Sequence, residues 1–105
     1  MTELEASAQW SRHGRQRAAQ SNLSGDDVDL VRRYGVLEHR TGVRFYFIGR
    51  REVERYRHVA PRLVKLHDIV MIISQDGDTV ITVYRNRHAL KQIRRKSKIN
   101  FRAAA

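Results

Sequence analysis

The sequence predicts an α+β domain: two N-terminal helices packed on a four-stranded antiparallel sheet, closed by a basic C-terminal helix. Three observations predict it. Residues 10–20 and 25–34 carry helical spacing and helix punctuation. Four short apolar segments follow as two pairs, each joined by a glycine-containing turn. Helices and strands come in blocks instead of alternating, which favours antiparallel neighbours over crossovers. A chain of 105 residues accommodates one such domain and not two.

Residues 1–8 show no periodicity and are expected to be a flexible N-terminus, with the domain itself at 9–96. From Trp10 to Gln20, WSRHGRQRAAQ reads as a helix with Trp10, His13, Gly14, Arg17 and Ala18 on one stripe. In LSGDDVDLVRRYG, Ser24 is an N-cap, Asp27 completes a capping box, and Leu23 and Val28 have the spacing of a hydrophobic staple. Asp26, Asp27 and Asp29 lie at the positive end of this helix dipole, with Arg32 and Arg33 at the negative end. Gly35 is placed to end the helix in a left-handed turn. VLEHRTGVRFYFIG reads as two strands around Thr41-Gly42. Val43, Phe45 and Phe47 fall on one face and Tyr46 and Ile48 on the other, so that strand is expected to be covered on both sides.

RREVERYRHV is a short charged helix or turn, ended by Pro61. The apolar run DIVMIIS at 68–74 has the length of a central strand. QDGD supplies a hairpin turn, and 79–85 is the returning strand. Residues 87–96 form the last helix, with Leu90 and Ile93 one turn apart and cations around the rest. Residues 97–105 are read as a basic C-terminal tail.

Composition narrows the function classes. The absence of cysteine removes disulfides, thiolate metal sites and cysteine nucleophiles together. No apolar run reaches the roughly 18 residues a membrane span needs, and MTELEASAQW lacks an apolar signal core. A cytoplasmic setting is therefore expected. The net charge is +10, and 17 of the 21 basic residues are Arg. Arg fits phosphate oxygens two at a time and stacks on bases, so the expected partner is nucleic acid. A GC-rich genome would also enrich Arg without any such partner. An anionic membrane suits the sequence less well, because the tail lacks a large apolar face. The charge is concentrated: Arg85, Arg87, Lys91, Arg94, Arg95, Lys96 and Lys98 fall together with no acid among them. Such a run repels itself unless an anion is bound.

The titratable residues point the same way. His13, His39, His58, His67 and His88 show no zinc-helix spacing, and no glycine-rich phosphate loop or nucleophile elbow is present. No metal or cofactor is expected. Asp26, Asp27 and Asp29 fit a helix start better than a metal cluster. His13 and Arg17 lie one helical turn apart, flanked by Gln16 and Gln20, and can converge on one object. RNA cleavage without a metal needs a base, an acid and fixed cations for the five-coordinate phosphate. His13 would serve as acid or base, Arg17 and Arg85 as charge stabilisers and Tyr84 as an orienting group. The same His13 could instead be a packed helix residue, and Tyr84 a rim aromatic. Arg87, Lys91, Arg94, Arg95, Lys96 and Lys98 would hold the nucleic-acid backbone.

SRHGRQRAAQ, LSGDDVDLVRRYG, RFYFIGRREV and GDTVITVYRNRHALKQIRRK, taken together from Ser11 to Lys96, resemble a small bacterial domain family. It belongs to the RelE-, ParE- and BrnT-like toxin superfamily, related to barnase-type ribonucleases. The resemblance implies two N-terminal helices against a four-stranded antiparallel sheet. It also implies a metal-independent ribonuclease of toxin type, paired with an acidic antitoxin and in some members acting at the ribosome. The matching positions are His13, Arg17, Tyr84 and Arg85. Two further readings fit the same resemblance: a non-catalytic nucleic-acid- or ribosome-binding module, and a toxin acting on a protein such as gyrase.

Overall fold

The computed structural model describes residues 9–98. The expected flexible N-terminus, residues 1–8, lies outside the described residues, as does the basic tail beyond residue 98. The architecture is α+β, built on a five-stranded mixed sheet. The chain runs β1 (Gln9–Trp10), α1 (Arg12–Gln20), α2 (Gly25–Tyr34), β2 (Val36–Arg40), β3 (Val43–Phe47), α3 (Arg50–Tyr56), a 3-10 segment (Pro61–Leu66), β4 (Ile69–Ser74), β5 (Thr79–Arg85) and α4 (Ala89–Arg94). The strand order is β1-β5-β4-β3-β2. Among the described residues no helix is long and apolar enough to cross a membrane.

The extra strand corrects the expected four-stranded antiparallel sheet. β1 pairs parallel with β5, Gln9 opposite Thr79 and Trp10 opposite Val80. Trp10 therefore belongs to a strand, and the first helix begins two residues later than its apolar spacing implies. Ser11 is the cause. Its Oγ accepts from the Gly14 N–H at 2.9 Å and donates to the Ile81 carbonyl at 2.9 Å. One hydroxyl thus caps α1 and fastens it to β5. Ile81 is the extra residue of a β-bulge: Ile72 pairs with Thr82, while Ile73 pairs with Val80.

α2 begins and ends where its punctuation places it. Ser24 Oγ accepts from the Asp27 N–H at 3.3 Å, and Asp27 Oδ2 accepts from the Ser24 N–H at 3.0 Å. Asp27 is buried, and Arg62 donates to both its oxygens at 3.0 and 3.2 Å. Asp29 pairs with Arg33 at 3.5 Å. The expected left-handed turn at Gly35 is not formed; its φ of −77° and ψ of 161° are extended. Glycine is needed there for space, since a Cβ would lie 2.5 Å from the Val31 carbonyl oxygen and 3.1 Å from that of Phe47.

β2 and β3 join through Thr41 and Gly42, both at positive φ (51° and 78°), as a two-residue type I′ hairpin requires. The β4–β5 turn is held by Asp76, whose Oδ1 accepts from Ser74 Oγ at 2.6 Å and from the Asp78 N–H at 3.0 Å. These donors hold the Asp76 carboxyl below the usual carboxylate range.

Both sheet faces are covered. Tyr46, Ile48, Met71 and Val83 face α2 and the 3-10 segment, against Val28, Val31, Leu63 and Leu66; Trp10 and Leu23, which bracket α1, pack into this cluster. Phe45, Phe47 and Val70 face the other way, onto Ala89 and Ile93 of α4. β3 is therefore buried on both sides, as its alternation predicts, and β4 lies at the centre of the sheet. The last helix spans Ala89–Arg94, shorter at both ends than the basic segment 87–96.

Candidate nucleic-acid interface

The candidate interface begins with two apolar residues. Ala89 and Ile93, four apart on α4, are each 1% exposed. Leu90 packs beside them, and the remaining positions of the helix turn to solvent. Arg87, Lys91, Arg94, Arg95, Lys96 and Lys98 are all exposed. Among the described residues Arg94 is the only one of the six with a carboxylate partner, its Nε donating to Glu38 Oε2 at 3.1 Å. Lys96 Nζ stands 5.9 Å from the centre of the Phe45 ring. Arg87 Nε donates to the His88 ring at 3.1 Å. No ion pair or hydrogen bond holds the side chains of Lys91, Arg95 or Lys98 among the described residues.

Glu38 modifies the reading of this segment as empty of acids. It comes from β2, 56 residues from Arg94 in sequence. Its other oxygen pairs with Arg40 at 3.0 Å, and Arg40 is itself buried. Arg40 Nη1 donates to the His39 carbonyl at 3.0 Å, while its Nε has no protein partner. The carboxylate thus links a buried arginine beneath α4 to an exposed one upon it.

The four residues expected to form a catalytic group sit as two pairs, His13 and Arg17 on α1, Tyr84 and Arg85 at the end of β5. His13 is exposed on α1 and makes no hydrogen bond or ion pair among the described residues. Arg17 is also exposed, and its Nη1 lies 3.5 Å from Gln20 Oε1. The buried residues of α1 are Gly14 and Ala18 instead. Tyr84 packs into the second core, on the opposite sheet face from Trp10 and Leu23; burial raises its phenol pKa. Arg85 donates to the carbonyls of His67 at 2.8 Å and Lys65 at 3.2 Å. It therefore ties β5 to the chain leading into β4. No hydrogen bond or ion pair joins any two of the four.

A group that sequence reasoning did not single out stands at this end of the sheet. His67 Nδ1 is 3.1 Å from Asp68 Oδ2, and both residues line a cleft with Arg50, Glu54 and Arg57. The available signal was adjacency: a histidine and an aspartate side by side before an apolar strand. Nothing local in the sequence shows that α3 folds over them.

Comparison with known proteins finds no matching family model, no matching curated protein and no matching solved structure.

Proposed function

We propose that this protein binds RNA through the cationic surface of α4 and its flanks. The observation that carries the reading is the exposure of Arg87, Lys91, Arg94, Arg95, Lys96 and Lys98 around a helix anchored by Ala89 and Ile93, with one carboxylate among their partners. A cluster so charged is stabilised by a polyanion, whose bound counterions are released when the cations engage it. Arg87, Arg94 and Arg95 add flat guanidinium groups that fit phosphate oxygens and stack on bases. RNA is the polyanion favoured by the sequence resemblance. An acidic antitoxin protein would meet the same surface.

The test is fluorescence anisotropy with a labelled single-stranded RNA across a salt series. Log affinity should fall linearly with log salt, by about 0.7 per phosphate contact. Replacing Lys91, Lys98 and Arg95 by Ala should flatten the slope by about 2, three contacts at that increment. Replacing Arg33, on α2, should leave it unchanged. A flat salt dependence, or an unchanged slope in the triple variant, would refute the reading. Binding to a protein that persists at high salt would favour a protein target instead.

A further inference from the structure

α3 carries two pairs of charged residues at the four-residue spacing that sets side chains one turn apart on the same side of a helix. In the first, Arg50 Nε meets Glu54 Oε1 at 3.0 Å, opposite charges in contact. In the second, Arg55 stands where an acid would complete the pair with Arg51. Like charges at this spacing destabilise a helix, and this one has only 7 residues. Among the described residues neither Arg51 nor Arg55 has a carboxylate partner. Glu52 does not supply one. Its Oε1 accepts from the Gly49 N–H at 2.8 Å and closes the start of the helix.

Both arginines line a cleft of about 350 Å³, within the roughly 300–1,000 Å³ range of small-ligand sites. Tyr34 at the end of α2, Val36 at the start of β2 and Tyr56 of α3 form its other walls. The two tyrosine rings lie 4.9 Å apart, centre to centre, and 43° from parallel. Both tyrosines pack against the first core, and neither hydroxyl has a hydrogen-bond partner among the described residues. Each therefore has a donor to offer from an anchored ring. The Arg55 guanidinium stands 5.5 Å from the centre of the Tyr56 ring, a cation–π contact that holds it at the cleft. The site is separate from the α4 surface: Val53 and Tyr56 of α3 pack on the first sheet face, and α4 covers the second.

We propose that this cleft binds a nucleoside monophosphate. The phosphate supplies the negative charge missing between Arg51 and Arg55, each of which presents a planar fork that fits two phosphate oxygens. Tyr34 and Tyr56 offer aromatic surface to the base and hydroxyls to the ribose or phosphate. Phosphate alone would satisfy the arginines and leave the tyrosines unused; a nucleoside alone would do the reverse. The lining holds two arginines, one glutamate and no third cation, which favours a single phosphate over a chain of them.

The test is isothermal titration calorimetry of the full chain at low salt with AMP, inorganic phosphate and adenosine, together with thermal melting of every variant. AMP should bind about tenfold more tightly than phosphate, the size of one base stacked on an aromatic ring, and adenosine should bind more weakly than AMP. Arg51→Ala should weaken AMP by about tenfold, the loss of one charge-assisted contact, and should melt no lower than wild type. Arg51→Glu gives this pair the opposite charges that Arg50 and Glu54 already have, so it should melt above wild type and bind no AMP. Arg50→Ala, and the variant lacking Lys91, Arg95 and Lys98, should bind AMP within about twofold of wild type. AMP binding that survives Arg51→Ala and Arg51→Glu, or that is lost with the α4 cations, overturns the site. Inorganic phosphate held as tightly as AMP overturns the nucleotide assignment. Wild-type protein that binds no AMP overturns the proposal outright, and RNA binding by α4 stands or falls separately.

Discussion

A Cβ placed on Gly14 would lie 2.2 Å from the Val80 carbonyl oxygen, a backbone atom that cannot turn aside. On helix propensity alone, Gly14→Ala should stabilise α1 by about 1 kcal/mol. Overpacking against a fixed carbonyl costs about 1–3 kcal/mol and opposes that gain. The net expectation is loss of stability in urea denaturation, and a gain would show that α1 does not approach β5 so closely. Tyr84 permits a second prediction at this scale. Its phenol pKa is raised by desolvation, so the folded state favours the protonated form. That contribution is complete below the ordinary phenol value near 10 and is lost as pH rises through the raised value. In an ultraviolet titration one tyrosine should ionise later than an unperturbed phenol, and Tyr84→Phe should remove that step. The cause is legible only in the fold: the sequence places Tyr84 at a strand end, and α4 covers it.

Elements were legible where their signals were local. Ser24, Asp27 and the residues between them set the start of α2, and the alternation of Phe45, Tyr46 and Phe47 set a strand buried on two sides. β1 was not legible, because two residues carry no periodicity and their pairing depends on Thr79 and Val80 far along the chain. The attachment of α4 was hidden for the same reason. Its acid, Glu38, comes from β2, so the basic segment reads as unpaired until the sheet is assembled. This contact makes a prediction for the element. Glu38→Gln would leave Arg40 as a buried charge with no counterion, where the side chain is 10% exposed. Removing one partner of a buried pair costs about 3–5 kcal/mol, and Glu38, at 18% exposure, should fall near the lower end. Hydrogen exchange should quicken at the amides of Gln92 and Ile93 more than in α2. Equal quickening across the molecule would mean that Glu38 supports the fold as a whole and not α4 in particular.

At the scale of the molecule the balance lies between cohesion and charge. The sheet is packed on both faces, yet the chain carries a net +10, and like charges at this density oppose the compact state. Simple salt should therefore raise the melting temperature by screening, in the wild type and in a variant lacking Lys91, Arg95 and Lys98 alike. RNA acts differently, because it stabilises only what it binds. At a free concentration ten times its dissociation constant, a ligand specific for the folded state contributes about 1.4 kcal/mol, from RT ln(1 + [L]/Kd). For a domain of this size that corresponds to a rise of roughly 5–10 °C. The shift should be largest at low salt and much smaller in the triple variant at the same RNA concentration. Comparing the two responses separates general relief of repulsion from occupancy of one surface. An RNA-induced shift that is undiminished in the triple variant would move the binding surface away from α4, to the exposed arginines of α1 or α3.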